Sequence, residues 1–548
     1  MKRRNKQLHP MESFDYVIVG AGTAGCVVAS RLSEESSSRV LLLEAGGSDR
    51  TIWIQLPIGY GRTYFDEKIN WMYDTEPVPG LNGRTSYWPR GRVIGGSGSI
   101  NAMVHVRGQK QDFDDWRDMG NPGWGFADIL PYFRKSEHDG GETDFHGTGG
   151  PMHITDMSAR AHPLCALFLN AAGQLGFPQT DDFNGPKGEG VGIYRINTHR
   201  GRRASTANAY LRPALRRPNL KLETGALATR ILFEGQRATG LAYLKNGLET
   251  TAQVLREVIL CGGAINSPQL LQLSGVGHPA DLTAAGIAVR HALPATGRNL
   301  QDHLAVSYFY RSSRPTLNDA LRPLSGKILA GLRYLIDRGG PLSMSVNQAG
   351  GFVRSRNDLQ RPDLQLYFSP VSYTQTPLSD RKLLNPDPFS AFLLSFNACR
   401  PTSRGSLRIT SPDPRHPPSI APNYLATDHD IADALAGCRL LRRLAATSPL
   451  ADIITSELKP GPETKTDADL LVDFRARADT VYHPAGTCAM GPDPRTAVVD
   501  SRLRVHGLAG LRVIDASIFP ALTSGNTNAP TIMVAEKGAD MLRKDEAW

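Results

Sequence analysis

FDYVIVGAGTAGCVVASRLSEESSSRVLLLEAG, residues 14–46, decides how the chain begins to fold. Phe14 to Val19 is a short β-branched run that reads as a strand. Residues 23 to 34 carry a helical pattern through Ala24, Val27, Val28 and Leu32, and Val40 to Leu43 give a second strand ending on Glu44. Between the first strand and the helix lies GAGTAG. Gly20 permits the tight turn, Gly22 lets backbone approach a pyrophosphate, and Gly25 lets helix and strand pack closely. Thr23, Ala24 and Gly25 start the helix, whose unpaired amides and positive dipole end face the phosphates. Glu44, 19 residues after Gly25, is placed to accept hydrogen bonds from a ribose, and Ala45 follows it at the strand end. The pattern predicts a dinucleotide site without separating FAD from NAD.

Two further stretches extend the same architecture. PRGRVIGGSGSINAMVHVRG, residues 89–108, gathers Gly91, Gly95, Gly96 and Gly98 beside Ser97, Ser99 and Asn101, a chain able to lie against a flat ring or a diphosphate. VILCGGAINSPQLLQLSGVG, residues 258–277, supplies another apolar strand, a Gly262-Gly263-Ala264 turn and a helix expected to begin near Pro268.

With 548 residues the chain can bury a large core and build two domains. Lys plus Arg exceed Asp plus Glu by 62 − 53 = 9, a modest excess with no basic run that would track nucleic acid, so no nucleic-acid partner is expected. The tail MKRRNK is followed by Glu12 and Asp15 rather than an apolar helix and does not read as a secretory signal. Six dispersed cysteines form no CxxC pair, which points to a reducing compartment, and the expected location is the cytoplasm. No run of 18 apolar residues suggests a bilayer span; peripheral attachment through loops or a short helix would leave no clear mark. Oligomeric state is not legible.

VYHPAGTCAMG, residues 481–491, puts His483 and Cys488 in one turn. Three chemistries are open to that pair: metal ligation, a Cys-His nucleophile, or proton movement by the histidine alone. No further ligands lie nearby, so no metal is expected, and a covalent nucleophile leaves the dinucleotide motif unexplained. A turn-capping histidine is the bland alternative.

Taken together, GAGTAG (20–25), GRVIGGSGSINAMVHVRG (91–108), GAINSPQLLQLSGVG (263–277), GRNLQDH (297–303), HPAGTCAMG (483–491) and GLRVIDASIFPALTSGNTNAPTIMVAEKGAD (510–540) resemble the glucose-methanol-choline oxidoreductases, FAD-dependent alcohol-oxidising enzymes. The texture is most similar to their alcohol and choline dehydrogenase branch. The resemblance implies an α/β fold (α+β overall), in which a Rossmann-like FAD-binding domain accompanies a substrate-binding domain of antiparallel sheet covered by helices. The expected FAD-binding segments are 12–160, 213–310 and 478–548; 161–212 and 311–477 form the substrate-binding and cap regions.

The same resemblance makes His483 the active-site histidine and Asn526 its partner across the substrate hydroxyl. It places Thr527 and Asn528 near the flavin ring, Asp515 and Ala516 along the cofactor, and Ala228 at the adenine. Arg90, Val93, Gly95, Gly96, Ser97, Asn101, Met103 and Val104 surround the pyrophosphate and isoalloxazine, with Gly262 at the second crossover. Some members attach FAD through a histidine just before that asparagine; here the residue is Ile100, so noncovalent FAD is expected. Gly98 and His105 stand where members often have Ser and Tyr, changes expected at the wall of the site. The implied reaction is oxidation of a primary, secondary or sugar alcohol to a carbonyl compound, with electrons passing to a quinone or another acceptor. O₂ as acceptor and a hydroxynitrile lyase-type activity are the rivals.

Less can be read elsewhere. A helix or two are expected before Gly339-Gly340, a strand from Leu364 to Phe368, and a helix near Asp428 to Ala445. RRASTANAYLRPALRR, residues 202–217, reads as a helix with a basic solvated face. His199, His278 and His303 read as structural or cofactor-proximal. Phe352, Phe368, Tyr373 and Phe392 are candidate pocket walls, and no carboxylate there is assignable to a cationic substrate, which favours a neutral alcohol.

Overall fold

The computed structural model describes residues 12–374 and 385–546; the MKRRNK tail lies outside them. The opening motif folds as strand β1 (Ser13–Val19), helix α1 (Thr23–Leu32) and strand β2 (Val40–Glu44). They join β3 (Leu220–Thr224), β4 (Ala226–Glu234), β5 (Arg237–Lys245) and β6 (Leu248–Leu260) in a sheet of order β3-β2-β1-β6-β5-β4, with Leu511–Val513 added beside β6. Its β3-β2-β1-β6 part and the added strand are parallel. Every residue of β2 is buried, as expected for a strand covered on both faces.

Helix α2 (Gly263–Leu273) follows β6 and starts five residues before the expected Pro268. Proline inside a helix removes the N–H that would bond the carbonyl four residues back. That carbonyl belongs to Ala264, and the Thr487 hydroxyl bonds it at 2.6 Å, so the helix runs through.

A second sheet is antiparallel throughout, in the order Ile454–Lys459, Leu304–Ser312, Ala391–Ala398, Leu364–Ser369, Ala349–Val353 and Gly190–Ile193. Leu304–Ser312, divided at residue 310 in the expected partition, therefore lies wholly in this sheet, because its partners are substrate-side strands. Leu364–Ser369, the strand expected from Leu364 to Phe368, is buried on both faces.

Helix α3 (Leu324–Asp337) packs against the short helix Leu317–Leu321, and α4 (Asp428–Ala445) packs on the face of this sheet. Gly437 makes the α4 packing possible: a Cβ there would stand 2.0 Å from the Phe396 ring. The last helix, α5 (Asn528–Glu546), returns to α1, where the fully buried Glu536 takes hydrogen bonds from Arg31 and from the Tyr210 hydroxyl at 2.8 Å. The expected helix over 202–217 is shorter. Arg202 and Arg203 lie in a two-residue strand, helical turns begin at Ala207, and Arg203 is buried rather than solvated.

Candidate active site

Between the two sheets runs a cavity of about 580 Å³. One end meets the carboxyl ends of β1, β2 and β6, the place where open α/β sheets bind ligands. Gly20 has φ +98°, and a Cβ there would meet the Cys261 carbonyl oxygen at 2.7 Å. Gly96, with φ +54°, faces Gly22 so closely that a Cβ would stand 2.7 Å from the Gly22 Cα. Two bare backbones thus form a narrow cradle at the start of α1, beside Thr23 and Ala24. Glu44 lies in the wall with one carboxylate oxygen accepting from the Ala21 N–H and the other from the Gly46 N–H, at 2.9 and 2.8 Å. Burial pushes this carboxyl up to about 7, against the pull of both amides. Cradle, helix terminus and buried acidic group fit a dinucleotide's pyrophosphate and ribose.

Ala45, Arg90, Ser97, Asn101, Met103, Val104, Ala228, Gly262, Asp515, Ala516, Thr527 and Asn528 also line the cavity. Three expected contacts lie behind its wall. Gly25 packs α1 onto β1, Val93 is core, and a Cβ on Gly95 would clash with the Ser99 hydroxyl at 2.1 Å. Asp515 is engaged with protein: it accepts from the Gly263 N–H at 2.8 Å and from the Ser267 hydroxyl at 2.6 Å, pinning the start of α2. Gly98 lines the cavity, and a Cβ there would meet Thr23 Oγ1 at 2.6 Å. His105 does not shape the wall; it is buried between Asn197 and Glu137. Of the expected aromatic walls only Tyr373 lines the cavity, whereas Phe352, Phe368 and Phe392 are core.

At the other end His483 and Asn526 meet, with Asn526 Nδ2 3.1 Å from His483 Nε2. The turn carrying His483 is tightly specified: Tyr482 has φ +70°, and the His483 N–H donates to Asp302 at 2.8 Å. Strain of this kind in a bulky residue persists only where surrounding structure imposes it.

His303, expected to be structural or cofactor-proximal, stands against His483: its Nδ1 lies 3.0 Å from His483 Nδ1 and its Nε2 lies 2.9 Å from the Cys399 carbonyl oxygen. A carbonyl only accepts, so His303 Nε2 carries the proton. Burial pushes His303 down to about 4, so its Nδ1 is bare and accepts from His483 Nδ1–H. His483 is held well below the usual histidine range by burial first, then by His303 and Arg90. Its Nε2 is therefore a bare lone pair in the cavity, and the Asn526 amide donates to it. Gln365 sets that orientation by donating to Asn526 Oδ1 at 3.3 Å.

Cys488 is fully buried with its thiol pushed well up by that burial, a core side chain. Among the described residues no group of three or more His, Cys, Asp or Glu could hold a metal. His199 stacks on His153, ring centroids 3.8 Å apart, and His278 lies 4.0 Å from Asp281.

The chain has relatives over nearly its whole length. Mouse mitochondrial choline dehydrogenase is 46% identical, over 97% of this chain and 90% of its own length. An oxygen-dependent choline dehydrogenase of Serratia proteamaculans is 43% identical, over 97% and 96%. The crystal structure of pyridoxine 4-oxidase from Mesorbium loti superposes with a TM-score of 0.88 at 32% identity, covering 97% of this chain and 99% of that one. The mitochondrial naming of the mouse relative, shared by the human one at 45% identity, overturns the expectation of a cytoplasmic protein. Unpaired cysteines report a reducing environment, which is not unique to one compartment. The GMC oxidoreductase family matches residues 14–305 and 401–535, and the chain belongs to that family of FAD-dependent oxidoreductases.

Proposed function

We propose that this FAD-dependent enzyme oxidises a neutral primary alcohol to the aldehyde, with His483 as the base and O₂ as the electron acceptor. The observation that carries the proposal is the bare Nε2 of His483, held by the chain Cys399 carbonyl, His303, His483 and met by Asn526. A substrate hydroxyl between His483 Nε2 and the Asn526 amide gives its proton to the histidine. The asparagine donor steadies the developing alkoxide. FAD, when bound, supplies the hydride acceptor for the α-carbon. Noncovalent binding is supported by Ile100, whose side chain lines the cavity and offers no nucleophile. The oxygen-dependent name of the Serratia relative and the oxidase of known structure support O₂ over the quinone expected from sequence.

Charge supports a neutral substrate. Arg84, Arg90 and Lys459 line the cavity and donate to the backbone carbonyls of Ala478, Tyr482 and Thr374, neutral acceptors that bring no compensating negative charge. Arg477 beside them is paired with Asp473, and Asp479 is the carboxylate on that wall. Choline is the second reading, favoured by the relatives' names and by Tyr60, Tyr64 and Tyr482 in the wall, whose ring faces suit a quaternary ammonium. Anaerobic mixing of the yellow holoenzyme with aliphatic, aromatic and sugar alcohols and choline separates the two. Bleaching by a neutral alcohol and not by choline is the expected result, followed by recovery of the colour on admitting air. Bleaching by choline alone would replace the substrate assignment, and recovery only with an added quinone would replace the acceptor.

A base acts when unprotonated, and His483 sheds its proton at a lower pH than a free imidazole. The rate constant of flavin reduction is therefore expected to stay level from about pH 8 down to about pH 6. An unperturbed histidine titrating near 6.5 would leave only about a quarter of it at pH 6. Stopped-flow reduction at saturating alcohol across this range checks it.

A further inference from the structure

Helix α3 has two apolar faces. Ala330 and Tyr334 are buried in a cluster with Tyr60, Met103 and Val346, three residues that line the active-site cavity. On the opposite side Leu324, Ile328, Leu329, Leu332, Leu335 and Ile336 are 51–83% exposed. At about 100° per residue these six fall in an arc of about 140°, in which Ser325 is the one polar residue. Arg333 borders the arc on one side and Lys327 on the other. Arg322 precedes the helix and Arg338 closes it, and the single acid of the helix, Asp337, lies 3.9 Å from Arg333.

We propose that α3 is a surface anchor: its exposed face lies in the headgroup region of an anionic bilayer, which places the cavity end under the helix next to the lipid. The chemistry favours this occupant. An uncharged apolar arc bordered by long cationic side chains is the pattern of an interfacial helix, whose stems cover apolar surface while their charges meet lipid phosphates. A second copy of the chain is a poorer fit, because one helix of 14 residues, about 21 Å long, offers a strip well short of the ~800 Å² per partner of a stable interface. The helix is also too short to span a bilayer, and no helix among the described residues is long and apolar enough to do so.

Sedimentation of the holoenzyme with vesicles tests the anchor, comparing phosphatidylcholine alone with phosphatidylcholine containing phosphatidylglycerol. Binding to the anionic vesicles is expected to exceed that to neutral ones by about tenfold or more and to weaken with added salt. The double variant L332E/I336E should lose it while keeping its flavin content and its turnover of a soluble alcohol. K327E/R333E, which leaves the apolar face intact, should lose the preference for anionic lipid. Equal binding to both vesicles, or to neither, overturns the proposal. So does an enzyme that is dimeric in solution and becomes monomeric in L332E/I336E, which would make the face a self-association surface.

Discussion

Replacing His483 with alanine is expected to slow anaerobic flavin reduction by on the order of 10² to 10⁴ while leaving FAD bound, the scale of a positioned acid-base group. The expectation follows from where the imidazole stands. Its Nδ1 is committed to His303 and its Nε2 to the cavity, while the Asp302 carboxylate fixes its backbone. Retention of FAD follows from the cradle's location at the other end of the cavity, built from Gly20, Gly22, Gly96 and Glu44. Absorbance spectra report the flavin and stopped-flow reports the rate. An unchanged rate would remove the base from His483.

Gly25→Ala is expected to have the largest structural effect. The added Cβ would stand 1.9 Å from the Gly20 carbonyl oxygen, in the turn that shapes the phosphate cradle. No flexible side chain is there to yield, so α1 must move away from β1, and the helix N-terminus moves with it. The flavin-to-protein ratio should fall to a small fraction of the wild-type value and the melting temperature by several degrees, given overpacking costs of about 1–3 kcal/mol or more. Gly47→Ala is the control, because its Cβ would meet nothing within 4 Å and both quantities should hold. Normal flavin content in Gly25→Ala would show that the turn tolerates a shift its packing does not suggest.

The parts of this fold that could be read in advance are those written in short-range pattern. Strand, glycine turn, helix and acidic strand end occupy one stretch in which each residue's neighbours in sequence are also its neighbours in space. Helix α4 could be read for the same reason: Thr427 caps it, its side chain accepting from the Asp430 N–H, and apolar residues recur on one face.

Long-range pairings were hidden. His303 and His483 are 180 residues apart, and nothing in LQDH says that its imidazole stands behind another one. The same limit made Arg203 look solvated, although its guanidinium is buried against the Asn101 side chain and the Ile54 carbonyl. In α3 the helix could be foreseen, but periodicity cannot say which of two apolar faces packs inward. Pro268 misled because the hydroxyl that compensates for it comes from Thr487, far along the chain.

The most direct test is anaerobic mixing of the holoenzyme with a primary alcohol and with the same alcohol deuterated at the hydroxyl-bearing carbon, followed by flavin absorbance. Bleaching that is slower with the deuterated alcohol is the predicted result, since in the proposed reaction the α-carbon hydrogen leaves in the step for which His483 takes the hydroxyl proton. A holoenzyme that keeps its FAD and is bleached by none of a panel of alcohols would contradict alcohol oxidation at this site.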